Sequence, residues 1–114
     1  MRWLLFLTIF AFIGPASAAP TIRTYDGKWE GSATVASGRC PPATVALTVE
    51  GNVATGTARF GVESQNINGT VSEDGTLGAT IGFRHLTGQF TQEFFDGNFN
   101  GSDCAWKMIL RRRK

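Results

Sequence analysis

The segment Asp96 to Gly101 carries the most specific chemical pattern in the sequence, DGNFNG. It matches D-x-N-x-N-G, the first half of a calcium-binding loop, in which oxygens at the first, third and fifth positions face the ion and the glycine permits a sharp turn. A complete loop needs a bidentate Glu at its twelfth position, but counting from Asp96 that position is Lys107, whose ammonium group repels a cation. We therefore favour a Gly- and Asn-rich hairpin here over a calcium site, and we predict no metal and no cofactor.

The residues available for catalysis form no recognisable constellation. His85 is the only histidine, and no G-x-S-x-G or similar nucleophile turn accompanies it, so we expect it on the outer face of a strand. Glu73 and Asp74 are adjacent in a predicted hairpin turn, and neighbouring strand residues point to opposite faces. Glu93 and Asp96 are a better carboxylate pair for glycoside hydrolysis, although the sequence does not give their separation. We predict that the protein is not an enzyme.

The first residues have the features of a secretory signal peptide. Arg2 precedes an apolar run of about 11 residues, Trp3 to Ile13, and Ala16 to Ala18 has the small-x-small form of a cleavage site. The run is too short to cross a bilayer, which takes roughly 20 apolar residues. We predict a signal peptide over 1–18, a single domain over 19–114, a periplasmic or secreted location, and no transmembrane segment.

Cys40 and Cys104 are the only cysteines of the chain. In an oxidising compartment, two cysteines indicate one disulfide. No C-x-x-C motif accompanies them, which disfavours a metal site. We predict a Cys40–Cys104 bond that closes a loop of about 65 residues, a constraint worth roughly 4 kcal/mol in the chain-entropy model.

The charges are nearly balanced once the signal peptide is set aside. Removing Arg2 lowers the Lys and Arg total from 11 to 10, against 9 Asp and Glu. Three of the positive residues, Arg112 to Lys114, stand at the end of the chain, so the body lacks the basic face of a nucleic-acid-binding protein. We expect no nucleic-acid partner, and we interpret the basic end as a solvated terminus, with contact to an anionic envelope surface as the alternative.

Period-two alternation runs through most of the remaining sequence, which is typical of strands with one buried face. Gly51-Asn52 and Asp74-Gly75 separate such runs and suit tight hairpins, and Asp96-Gly97 and Asn100-Gly101 are further turn or bulge candidates. The residues predicted to face the core are Trp29, Gly31, Ala33 and Val35; Val45, Leu47 and Val49; Ile67, Gly69 and Val71; Leu77, Ala79, Ile81 and Phe83; Leu86, Gly88 and Phe90; and Cys104, Trp106, Met108 and Leu110.

A small all-β barrel accounts best for this pattern. Glycines recur inside the predicted strands, where strongly bent strands need residues without a Cβ atom. Closure also removes the exposed edges of a short antiparallel meander. We predict an antiparallel up-and-down barrel of seven or eight strands with one disulfide, in preference to a sandwich.

The segment YDGKWEG, Tyr25 to Gly31, carries a family resemblance. Together with the two cysteines and the glycine-spaced strands, it resembles small secreted bacterial proteins that begin with an (F/Y)DGxWxG motif; the resemblance implies a compartment and a fold, not a reaction. Gly27-Lys28-Trp29 is also similar to the G-x-W of calycin-type barrels: lipocalins, avidins and periplasmic inhibitors of secreted metalloproteases. The internal motifs of the inhibitors are absent.

The calycin resemblance implies roles for particular residues. Trp29 would close one end of the barrel, and a basic residue of the last strand, Arg111 or Lys107, would pack over it. The inhibitors insert an N-terminal arm into the protease, and Ala19 to Tyr25 corresponds to such an arm.

Three aromatic residues are the candidate binding residues: Trp29, Phe94 and Phe95. The alternative role of Trp29 is to stack on a ligand rather than to plug the barrel. Phe94 and Phe95 break the alternation, so one of them faces outward and contacts a partner unless a β-bulge buries both.

The sequence therefore predicts a non-enzymatic binding module. We expect a monomer that binds another exported protein, with inhibition of an exported enzyme as one version. The alternative is a carrier that holds a small apolar ligand in the barrel mouth. A barrel of about eight short strands is nearly filled by its own side chains, which favours protein binding.

Overall fold

A computed structural model describes residues 24–114. The predicted signal peptide over 1–18 and most of the predicted arm, Ala19 to Arg23, lie outside the described residues. All regular structure in the described part is β-strand.

Eight antiparallel strands form a closed barrel in chain order, with the last strand paired to the first. The predicted up-and-down barrel is thereby confirmed. The strands are β1 (Gly27–Ser37), β2 (Ala43–Glu50), β3 (Val53–Phe60), β4 (Glu63–Val71), β5 (Thr76–Ile81), β6 (Arg84–Phe90), β7 (Phe94–Asn100) and β8 (Ala105–Arg112).

The connections define two ends of the barrel. The terminal end holds the start of β1, the end of β8 and the turns after β2, β4 and β6. The disulfide end holds the loops 38–42 and 101–104 and the two-residue turns Gly61-Val62 and Gly82-Phe83. Cys40 and Cys104 form the predicted disulfide across the two loops, with their Cα atoms 6.3 Å apart.

The barrel interior is a continuous hydrophobic core built from alternate strand residues, as the alternation predicted. Among the predicted core residues that carry a side chain, Phe83 is the exposed exception, because it is 82% exposed. Strand β5 ends at Ile81, and the chain reverses through Gly82 and Phe83. The period-two pattern of core residues therefore ends at Ile81, and the predicted next position, Phe83, lies in a turn.

The predicted turns were partly right. Gly51-Asn52 joins β2 to β3 and Asp74-Gly75 lies between β4 and β5, with Gly51 and Gly75 at φ of 66° and 88°. Asp96-Gly97 is no turn, since it lies inside β7. A Cβ atom at Gly97 would lie 2.6 Å from the Phe95 ring, so glycine here makes room for an aromatic side chain.

Candidate functional site

The terminal end of the barrel is closed by Trp29, which is fully buried. Its indole nitrogen donates a hydrogen bond to the Tyr25 carbonyl over 3.0 Å. Phe90 meets the indole edge-on at 4.7 Å between ring centroids, and Tyr25 stacks on Phe90 at 5.6 Å. Trp29 therefore fills the barrel end, and stacking on a ligand would require displacement of this packing.

Arg112 covers the Trp29 ring, with its guanidinium carbon 4.7 Å from the ring centroid. Its Nη2 atom also donates to the Thr24 carbonyl over 2.7 Å. The expectation that Arg111 or Lys107 would take this place is wrong, because both face outward: Arg111 lies over Phe94 and Lys107 pairs with Asp96. Arg112 takes this place because it continues the row of inward-facing residues of β8, which includes Met108 and Leu110.

The disulfide end repeats this arrangement. Trp106 is buried there, and its indole nitrogen donates to the Pro41 carbonyl over 2.9 Å. Phe99 stacks on the indole at 4.8 Å, and Phe60 meets it edge-on at 5.6 Å. Arg84 lies over the Trp106 ring at 5.3 Å. Each end of the barrel is thus filled by a tryptophan, its aromatic neighbours and an arginine.

Phe94 and Phe95 point to opposite faces of β7. Phe95 is fully buried and packs against Phe90 at 4.7 Å, whereas Phe94 is 46% exposed on the outer wall beside Arg111. A bulge that buries both is therefore wrong. Of the three candidate binding residues, only Phe94 offers substantial surface, and the structure does not bring it together with Trp29.

Two exposed apolar residues at the disulfide end were missed by the sequence reasoning. Val62 is fully exposed and Phe83 is 82% exposed, at the tips of the β3–β4 and β5–β6 hairpins. The hairpins are neighbours, since the Gly82 amide donates to the Asn66 carbonyl of β4 over 3.1 Å. The available signal was a glycine followed by one apolar residue between two alternating runs, which marks the apolar residue as a turn position.

The titratable residues singled out from the sequence are dispersed. His85 is exposed on the outer face of β6, and Glu73 and Asp74 lie in the β4–β5 turn. Hydrogen bonds to the Asp74 carboxylate lower the pKa of that group. The largest effect comes from the Ser72 hydroxyl, followed by Thr76, whose backbone amide also donates to the carboxylate. Among residues 24–114, no three or more His, Cys, Asp or Glu side chains are grouped as metal ligands.

The DGNFNG segment is mostly strand: Asp96 to Asn100 belong to β7, and the predicted turn at Asn100-Gly101 is confirmed as the start of the loop between β7 and β8. Asp96, Asn98 and Asn100 occupy alternate outward positions of β7 and are exposed. Alternate strand residues are about 7 Å apart, so these side chains form a row instead of converging as in a calcium loop. Asp96 also pairs with Lys107 over 2.9 Å.

No protein-family model, curated protein or solved structure matches this chain. The resemblances to the (F/Y)DGxWxG proteins and to the calycin barrels therefore remain predictions beyond the barrel itself. Among the described residues, no helix has the length and apolar character needed to cross a membrane.

Proposed function

We propose that this chain is an exported, monomeric, non-enzymatic module that binds another exported protein through the disulfide end of the barrel. The observation that carries the proposal is the exposure of Val62 and Phe83, two apolar side chains on neighbouring hairpin tips. Apolar side chains presented together at a rim favour contact with a partner. Inhibition of an exported enzyme is one version of this function.

The filled interior supports protein binding over the carriage of a small apolar ligand. The aromatic groups around Trp29 and Trp106 occupy both barrel mouths, where a carrier needs open space. The disulfide supports export, because such bonds persist in oxidising compartments. Closure supports a monomer, because it leaves no strand edge for pairing with a second copy.

The test uses residues 19–114 with the disulfide intact, attached to a surface through Lys114 at the terminal end so that the disulfide end faces solution. Proteins retained from the native envelope fraction nominate a partner, which is then purified and titrated. The variant Val62→Ser/Phe83→Ser removes both hairpin tips. Its matched control, Val53→Ser/Ile109→Ser, removes two other exposed apolar residues, away from this rim.

We expect the rim variant to bind the purified partner at least about tenfold more weakly, since truncated anchor residues cost more than about 1 kcal/mol each. The control should bind as the parent chain does. Equal loss in both variants, or no loss in either, would contradict the proposal. Deletion of residues 19–23 tests the predicted arm separately, and a native mass spectrum showing a bound apolar molecule of a few hundred daltons would support the carrier instead.

A further inference from the structure

We propose that Arg84 is the anchor for a carboxylate of the protein partner, in an acidic segment whose neighbouring apolar side chain packs on Phe83. The inference rests on the proposed function and names the partner's chemistry. It comes from comparing the two barrel ends, which share one construction but differ in what the arginine contacts.

At the terminal end, the chain itself supplies a hydrogen-bond acceptor to the arginine. Arg112 lies over Trp29, and its Nη2 atom donates to the Thr24 carbonyl over 2.7 Å. The segment before β1 thus supplies the oxygen acceptor that a guanidinium needs.

At the disulfide end, the described residues supply no such acceptor. The Arg84 guanidinium lies 5.2 Å from the Phe60 centroid and 5.3 Å from those of Phe83 and Trp106, but it makes no hydrogen bond or ion pair within residues 24–114. The Nε atoms of both Arg84 and Arg112 are buried without a partner, so the two arginines differ in the Nη2 hydrogen bond to the Thr24 carbonyl, which Arg112 has and Arg84 lacks. A guanidinium fixed by aromatic rings and lacking an acceptor is preorganised for one from outside, and a carboxylate matches its donor fork.

The surface beside Arg84 has matching chemistry. A pocket there is lined by Phe83, Arg84, His85, Asn100, Gly101 and Ser102. The Asn100 amide and the Ser102 hydroxyl are donors that a carboxylate accepts. A Cβ atom on Gly101 would lie 3.1 Å from the Arg84 Nε atom, so the glycine leaves room for the arginine beside this pocket.

The charges at this end favour an acidic partner. Arg39, Arg59 and Arg84 stand against Glu63 and Asp103, and none of these five side chains makes an ion pair within the described residues. Val62 and Phe83 add apolar contact on the same rim. The excess of positive charge together with the exposed apolar side chains fits a protein segment that carries a carboxylate next to an apolar side chain. A bare anion fits less well, because it has no apolar group to pack on the exposed Phe83 ring.

The probes are two peptides, acetyl-Gly-Phe-Glu-Gly-amide and its Gln counterpart, titrated into ¹⁵N-labelled residues 19–114. Nuclear magnetic resonance follows the Arg84 Nε–H group, the Trp106 indole N–H and the backbone around Phe83 and Ser102. We expect the Glu peptide to shift these signals and to bind at least about tenfold more tightly than the Gln peptide.

Arg84→Gln should abolish the preference for Glu, and Arg84→Lys should weaken it, since an ammonium keeps the charge but loses the fork. Arg111→Gln is the matched control, because Arg111 also lies 5.5 Å from an exposed phenylalanine, Phe94, but on the outer wall. This control should keep the full preference. An unchanged Trp29 indole signal in the free Arg84 variants verifies that the barrel is folded, because Trp29 lies at the opposite end, whereas the Trp106 signal will move when the contact with Arg84 is lost.

Equal binding of the two peptides overturns the inference, and so does a Glu preference that survives Arg84→Gln. Competition by inorganic phosphate at the peptide's own affinity also overturns it, because that result identifies a general anion site. If a purified partner is sensitive to Val62→Ser/Phe83→Ser but not to Arg84→Gln, the inference fails while the proposed function stands. A partner that is insensitive to all of these changes contradicts both.

Discussion

Adding one methyl group to two glycines of the barrel should have opposite effects on stability. Gly56 faces the interior of β3, opposite Leu47, and a Cβ atom there would overlap the Ala46 carbonyl oxygen and lie 2.9 Å from the Leu47 Cα atom. Gly78 faces outward on β5, and a Cβ atom there would meet nothing within 4 Å. The substitutions Gly56→Ala and Gly78→Ala therefore differ mainly in whether the backbone of the neighbouring strand must move.

The expected magnitudes follow from that movement. Because the atoms that Gly56→Ala meets belong to the backbone, no rotamer change relieves the overlap, and β2 and β3 must separate locally. Overpacking costs about 1–3 kcal/mol, and each weakened ladder hydrogen bond costs about 1 kcal/mol more. Replacing glycine with alanine also lowers the entropy of the unfolded chain, which stabilises the folded state by about 0.5–1 kcal/mol. We expect a net loss of about 3 kcal/mol for Gly56→Ala and a gain of about 0.5 kcal/mol for Gly78→Ala.

Urea unfolding of residues 19–114, followed by the fluorescence of Trp29 and Trp106, measures both effects. With a slope of about 1 kcal/mol per molar urea, as for a small domain, the midpoints of the two variants should lie about 3.5 M apart. Coincident midpoints would refute the argument that the close approach of β2 and β3 at Gly56 excludes a side chain. A changed slope would indicate altered compactness instead of a simple loss of stability.

Three further outcomes are expected. Replacing Cys40 and Cys104 with serine should lower the free energy of unfolding by about 4 kcal/mol, given the sequence separation of 64, and reductant should then have no further effect. Arg112→Gln should cost about 1–2 kcal/mol and shift the fluorescence of Trp29 towards that of a wetter indole, whereas a denaturation midpoint that does not move would contradict the contact. Because hydrogen bonds lower the pKa of Asp74 in the folded state, its contribution is complete above the unfolded-state value near pH 4 and is lost as the pH falls below it; Asp74→Asn should remove a small step from the midpoint in that window.

The barrel was predictable because its pattern is local. In β2, Val45, Leu47 and Val49 alternate with polar or small residues, and that period alone fixes which face is buried. The disulfide followed from having two cysteines and a predicted export signal. Neither inference required knowledge of contacts between distant residues.

The errors arose where one residue type serves two physical purposes. Gly97 follows Asp96 and matched a turn pair, but its lack of a Cβ atom serves the packing of Phe95. Phe83 continued the alternation of β5 but lies in the two-residue turn where the chain reverses. Tertiary packing decides such cases, and a single sequence does not report it.

The candidate anchor was missed for a related reason. On the sequence, Arg84 is one charged residue beside the histidine, and charged residues are ordinarily placed on the solvent face. In the barrel it has the inward parity of Leu86, so its stem enters the disulfide end and its guanidinium meets three aromatic rings. The inward position on β6 thus makes Arg84 a fixed hydrogen-bond donor at the barrel rim instead of an exposed charge on the outer wall. The same parity places Arg112 at the opposite end, where the chain supplies the acceptor. Arg112 therefore has a structural role at the terminal end, whereas Arg84, which has no acceptor among the described residues, is the candidate recognition residue at the disulfide end.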